Sequence, residues 1–182
     1  MRHNLAHMSD FGIEVSGEVK VNLEKVVSRS RKVAARLSSG VAHLLKKNKV
    51  TVIEGNARLG GKSGANWVVE ISGKDSQKTD SQKIQAAHVI LATGARARQI
   101  PGLETDGKNI LSYKEAMVPS QMPKSLIVVG SGAIGVEFAS FYADMGVEVT
   151  IIEALDRILN AEDEEISALA HKAFTARGIA IH

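Results

Sequence analysis

The run from Leu126 to Glu153 constrains this chain most. An apolar stretch, Leu126-Ile127-Val128-Val129, leads into Gly130-Ser131-Gly132-Ala133-Ile134-Gly135, which fits G-x-G-x-x-G. The spacing predicts a helix from Ala133 to Met145, stopped by Gly146. A second strand follows, Val147-Glu148-Val149-Thr150-Ile151-Ile152, closed by Glu153 at 23 residues beyond the first glycine. A lone G-x-G-x-x-G is weak. With a strand before it, a helix after it, a second strand and a terminal acid, it points to dinucleotide binding.

Each residue type has a separate reason. Gly130 permits the tight strand-to-helix turn, Gly132 lets a pyrophosphate approach the backbone, and Gly135 lets the helix pack against the strands. The free N–H groups and positive end of the helix then face the phosphates. Glu153 can accept hydrogen bonds from both hydroxyls of an adenine ribose, whereas a 2′-phosphate would meet a carboxylate. This favours NAD over NADP. Arg157, four residues beyond Glu153, could pair with a 2′-phosphate, but its spacing suggests a surface residue. The competing reading is a βαβ unit whose glycines serve packing alone.

Composition narrows the class. The chain has 182 residues, enough for one ordinary domain or two small ones. It is 44% hydrophobic and only 4% aromatic, so the core must be built from Val, Ile, Leu and Ala. A net charge of +3 argues against a nucleic-acid partner. Without cysteine, disulfides and cysteine metal sites are excluded within this sequence. The N-terminal residues do not read as a secretory signal, and no apolar run is long enough to span a membrane. A cytoplasmic location is the expectation.

Upstream, Gly12 and Gly17 flank a short predicted strand, Ile13-Glu14-Val15. Residues 22–47 predict one amphipathic helix, with Leu23, Val26, Val27, Val33, Ala34, Leu37, Val41, Leu44 and Leu45 on one face. It is expected to be a packed helix with a solvated basic face. A small antiparallel meander is expected over 50–92. Its strands would be Val50–Gly55, Trp67–Ser72 and Ile84–Ala92, with a turn at Gly60–Gly64. Residues 73–82 read as an exposed loop. The connection 95–124 holds all three prolines and a short helix near Tyr113–Met117. A further helix, about Asp163–Arg177, ends at Gly178, and Ile179-Ala180-Ile181 begins a third parallel strand. The sheet is expected to need more strands, so the C-terminal end reads as a cut.

Taken together, these segments resemble the flavoprotein pyridine-nucleotide disulfide oxidoreductases. The resemblance is carried by Val41 to Val50 with Gly55, by Val89-Ile90-Leu91-Ala92-Thr93-Gly94-Ala95 with Ile100-Pro101-Gly102, by Val129 to Glu137, and by Glu153 to Leu159. It implies an α/β fold, with a Rossmann-type βαβ NAD-binding half-domain at 113–182 and part of an FAD domain at 1–112. It further implies that Gly130, Gly132, Ala133, Ile134 and Gly135 wrap the NAD pyrophosphate, that Glu153 holds the ribose, and that Glu137 lies near the nicotinamide. Read alone, Glu137 could equally be a solvated residue on the first helical turn. Thr93, Gly94 and Ala95 would touch FAD, and Ala57 would meet its adenine end through the backbone. Read alone, residues 93–95 are a plain strand exit.

The nearest branch of that family reoxidises dihydrolipoamide carried on an acyltransferase subunit of 2-oxo acid dehydrogenase complexes. Electrons pass through a cysteine pair and FAD to NAD, in a homodimer. The departures are specific. The sequence has no C-x-x-x-x-C pair and no first glycine-rich flavin motif, and none of its six histidines stands in the family's catalytic context. No catalytic residue is assigned, and the chain reads as an inactive fragment. Two alternatives differ in class. One is a self-contained NAD-binding regulatory module, whereas another disulfide oxidoreductase would be a change within the family. The other is a flavin-free dehydrogenase, which is disfavoured because Tyr113 and Lys114 are adjacent in sequence and not one helical turn apart.

Overall fold

The computed structural model describes residues 8–14, 16–17, 20–73 and 82–182. The chain divides into two compact units, Arg31–Ile100 and the described part of Met1–Ser30 with Pro101–His182. Two three-stranded sheets are present among the described residues, one antiparallel and one parallel.

The parallel sheet carries the strand order β4-β5-β6, with β4 Ser125–Val129, β5 Glu148–Ile152 and β6 Ala180–Ile181. Val128 lies opposite Ile151, and Ile151 opposite Ile181. Helix α3, Ala133–Asp144, connects the first two strands, and α4, Glu164–Ala176, connects the last two. The core is one cluster of Val136, Ala139 and Tyr142 from α3 with Val147, Val149, Ile151 and Ile179. It is mostly aliphatic, as the scarcity of aromatics requires. Leu126 and Val128 face it, whereas Ile127 and Val129 of the same strand, and Ile152 of β5, are exposed. Tyr142 is the one large aromatic fully inside this cluster, and its hydroxyl donates to the Ala116 carbonyl at 2.8 Å. That bond ties α3 to the short helix α2, Tyr113–Ala116, which Ser112 and Glu115 close with a capping box.

Three helices end in the same hydrogen-bond pattern. Val50 donates to Leu45, Val147 to Tyr142 and Ile179 to Phe174, with the preceding residue donating to the carbonyl three back. The left-handed residue is Gly146 (φ 89°) after α3 and Gly178 (φ 84°) after α4, as the sequence predicts. After α1, Leu23–Lys47, it is Lys49 (φ 57°), where Asn48 Nδ2 also donates to Leu44 at 2.8 Å. Arg177 ties α4 to α3 by donating to Asp144 at 2.7 Å and to Ser140 Oγ at 3.0 Å.

Helix α1 starts where the periodicity placed it, with Asn22 Oδ1 accepting from the Lys25 amide at 2.9 Å. Its packing corrects the sequence expectation. No residue of α1 is buried, and Val33, Leu37, Val41 and Leu44 are exposed. An apolar stripe states where a helix can pack and does not supply the element that covers it.

The meander is real but shifted. Its strands are β1 Asn56–Ser63, β2 Asn66–Ser72 and β3 Gln82–Ala86, spanning 56–86 and not 50–92. The expected turn at Gly60–Gly64 lies mostly inside β1. Gly61 (φ 99°) sits at a register shift after Leu59, and the turn falls at Gly64 (φ 61°) and Ala65. Residues 51–54 and 88–92 join no ladder, and Ile90 is 90% exposed. Apolar β-branched runs encode extended backbone, but a strand also needs a neighbour to bond. Ile13 and Glu14 are in no strand and follow a 3-10 turn, Met8–Phe11; Val15 lies outside the described residues. So does all of the expected loop except residues 73 and 82.

Across the meander, Glu70 faces Arg58 of β1 and Lys83 of β3 in direct register. Its carboxylate meets them at 2.7 and 2.9 Å. The Arg58 hydrogen bond first, then Lys83, holds the carboxyl down to about 2 from an ordinary value of 4.5. The folded value lies below the unfolded one. The pairing therefore contributes at pH above the ordinary glutamate range and is lost as pH falls toward about 2. Carboxyl NMR is expected to show Glu70 titrating well below the other glutamates, with the gap shrinking in high salt. A midpoint near 4.5 in low salt would contradict the triad.

Candidate functional site

The site forms where β4 turns into α3. Gly130 adopts φ 96°, and its amide donates to Ile152 at 2.9 Å, locking the turn to the end of β5. Gly132 is the N-cap residue of α3, with φ −64° and ψ 175° and no side-chain capping bond. The first intrahelical bond runs from the Val136 amide to the Gly132 carbonyl at 3.1 Å. The amides of Ala133, Ile134 and Gly135 therefore have no carbonyl one turn back to bond. A Cβ on Gly132 would meet nothing within 4 Å, so the space in front of these donors is open. Ile134 stands beside it, exposed. Gly135 does the opposite job: a Cβ there would lie 2.1 Å from the Gly130 carbonyl oxygen. Helix and loop approach so closely that only glycine fits.

Glu153 closes the other side. Its Oε2 accepts from the Ser131 amide at 2.8 Å and from the Ser131 hydroxyl. Its Oε1 accepts from the amides of Ala154 (2.8 Å) and Leu155 (3.1 Å). The Ser131 hydroxyl, then its amide, holds the carboxyl below the usual glutamate range; burial opposes this, and the Leu155 and Ala154 amides add smaller lowering contributions. An ionised acid is thus fixed at the end of β5. The Ser131 carbonyl accepts from Leu159 at 3.1 Å, and Leu159 holds φ 49°, a left-handed conformation uncommon for a leucine. Ser131 had no role in the sequence reading, although a hydroxyl at the x of G-x-G was the available signal.

Arg157 is half-buried and not the plain surface residue expected. Its guanidinium contacts Asn160 O at 3.4 Å and lies 3.6 and 3.7 Å from Asp156 and Glu164, while its Nε is buried without a partner. Glu137 is exposed on α3. Thr93, Gly94 and Ala95 lie in an exposed, extended segment where Gly94 takes φ 78°, and Ala57 lies exposed on β1 opposite Ile71. These four exposed positions offer backbone to a flavin but do not enclose one among the described residues. Among the described residues there is no cluster of metal-ligating side chains, and no helix is long and apolar enough to cross a membrane.

A parallel βαβ unit, a glycine turn with open helix amides and an acid at the end of the second strand define the Rossmann-type class of nucleotide-binding domains. The family described as pyridine nucleotide-disulphide oxidoreductase matches residues 4–182, and the chain belongs to it. A dihydrolipoyl dehydrogenase from Rhizobium etli is 47% identical over 182 residues, covering 96% of this chain and 38% of its own length. One from Zymomonas mobilis is 47% identical, covering 98% and 37%. The crystal structure of LpdA from Mycobacterium tuberculosis superposes with a TM-score of 0.85 at 28% identity, over 100% of this chain and 38% of that one. The chain thus spans somewhat over a third of the length of these relatives.

Proposed function

We propose that this chain is the central part of a dihydrolipoyl dehydrogenase, with flavin-domain residues at 1–112 and NAD-domain residues at 113–182. In that reading the whole protein reoxidises dihydrolipoamide on the acyltransferase subunit of a 2-oxo acid dehydrogenase complex. A cysteine pair and FAD, supplied by the whole protein, would carry the electrons to NAD. The whole protein works in the cytoplasm as a homodimer, with neither nucleic acid nor membrane as a partner. The observation that carries the NAD assignment is the ionised Glu153 fixed beside an uncapped helix N-terminus.

The nicotinamide, when bound, supplies the hydride acceptor. The residues of this chain bind and orient it. The amides of Ala133, Ile134 and Gly135, with the open surface of Gly132, receive the pyrophosphate. Glu153 accepts from the ribose hydroxyls and disfavours a 2′-phosphate. Glu137 lies one helical turn further on, towards the nicotinamide end. Thr93, Gly94, Ala95 and Ala57 are assigned to the flavin of the whole protein. Disulfide exchange needs a thiolate nucleophile. A chain without cysteine cannot supply one, so these 182 residues alone are expected to be inactive.

Calorimetric titration of the chain with NAD and with NADP tests the assignment, alongside a dihydrolipoamide turnover assay. The expected result is saturable binding of NAD, weaker binding of NADP and no turnover. Preference for NADP would overturn the role of Glu153, and turnover would overturn the need for a cysteine pair.

A further inference from the structure

We infer that Ser131 is the residue that sets dinucleotide preference through Glu153: its buried hydroxyl aims the carboxylate at the adenosine ribose. The inference rests on the reading of the loop as an NAD site and deepens it. Ser131 is 1% exposed and, with Ser167, is one of two buried polar side chains among the described residues. The turn itself needs glycine on either side and places no demand for a hydroxyl between them. Here the hydroxyl and the amide of one residue converge on one oxygen, Oε2 of Glu153. The other oxygen is held by the exposed amides of Ala154 and Leu155.

The asymmetry has a chemical consequence. A carboxylate has about four lone-pair positions, and four donors address this one. A donor at the exposed Oε1 can give way to a ribose hydroxyl, because a released amide there finds water. A donor at Oε2 cannot, because a released Ser131 hydroxyl would be buried without a partner. Oε2 is therefore the fixed end, and the carboxylate plane is set by Ser131. A fixed anion accepts from a 2′-hydroxyl and repels a 2′-phosphate. Without the Ser131 hydroxyl, Oε2 keeps a single amide and Oε1 its two exchangeable ones, so the carboxylate can swing away from either. Ser131 is a positioning residue in this scheme and acts through Glu153.

Ser167 supplies the control. Its hydroxyl is equally buried and donates to the Leu159 carbonyl at 3.1 Å, one residue removed from Ser131 and with no hydrogen bond to Glu153. The test compares Ser131→Ala, Ser131→Thr and Ser167→Ala with the unsubstituted chain. It uses calorimetric affinities for NAD and NADP and a carboxyl NMR titration of Glu153 without nucleotide. Ser131→Ala is expected to weaken NAD roughly 3- to 10-fold without weakening NADP, so that the NAD:NADP ratio falls. Ser131→Thr should restore the ratio, and Ser167→Ala should lower the melting temperature while leaving the ratio alone. The Glu153 titration should move up toward an ordinary glutamate in Ser131→Ala only. An unchanged ratio in Ser131→Ala, or an equal loss for both nucleotides, overturns the inference while leaving the NAD site standing. Binding of neither nucleotide by the unsubstituted chain overturns both. An unmoved Glu153 titration overturns the positioning role whatever the nucleotide data show.

Discussion

Replacing Gly135 with alanine is expected to cost the parallel-sheet unit about 3 kcal/mol or more. The added Cβ would stand 2.1 Å from the Gly130 carbonyl oxygen and 3.1 Å from the Gly130 carbonyl carbon. Both contacts are with backbone, so no rotamer change can relieve them. The helix must back away from the loop, or the loop must leave β5. Either movement strains the Gly130–Ile152 hydrogen bond and disturbs the packing of Val136 and Ala139 against β4 and β5. Gly132→Ala is the matched control, since a Cβ there meets nothing within 4 Å and the backbone is in an ordinary region. Denaturant unfolding of the two variants should separate them by several kcal/mol, with Gly132→Ala close to the unsubstituted chain. Equal midpoints would mean that the close approach of helix and loop is absent in solution.

That contrast also marks what could be read from residue order alone. The βαβ unit was legible because each of its parts is local. The apolar runs, the three glycines, the stop at Gly146 and the terminal acid are all set within a stretch of 28 residues, from Leu126 to Glu153. The helix ends at Gly146 and Gly178 were legible for the same reason. Lys49 was not, because a left-handed lysine carries no sequence mark; the bonds from Lys49 and Val50 back to the helix reveal it.

The misses share a cause. A strand is defined by its neighbour, and the apolar runs at 50–55 and 88–92 have the composition of strands without a ladder beside them. The meander consequently moved to 56–86, where cross-strand partners such as Arg58, Glu70 and Lys83 exist. Helix α1 and the outer face of the parallel sheet show the same thing in packing. Leu37, Val41, Ile127 and Val129 are apolar by pattern and exposed in fact. Burial follows from an element's surroundings, which periodicity does not encode. At the site, the glycine loop and Glu153 could be read from spacing. The clamp that Ser131 places on Glu153 joins residues 22 apart in sequence, so it depends on the sheet being built first.

Gly132→Asp is expected to abolish NAD binding while leaving the fold intact or slightly firmer. The two effects have opposite signs and come from the same atoms. At an N-cap, aspartate accepts from the first free amides of the helix and is worth roughly a few tenths of a kcal/mol over glycine. Gly132 makes no side-chain capping bond to α3, its backbone already has an N-cap conformation, and the space at its Cβ is open. The new carboxylate would therefore settle on the amides of α3 without strain. Those are the donors assigned to the pyrophosphate. NAD would have to displace an anion bound to its own helix and then tolerate its charge within a few ångströms. Like charges at that separation are worth several kcal/mol at a partly shielded site. NAD affinity should fall by about 100-fold or more. Thermal melting and calorimetry on the same preparation read both effects. A variant that melts no lower than the unsubstituted chain and no longer binds NAD would locate the phosphates at this helix end. Undiminished NAD binding by a folded Gly132→Asp chain would remove the glycine loop from the site altogether.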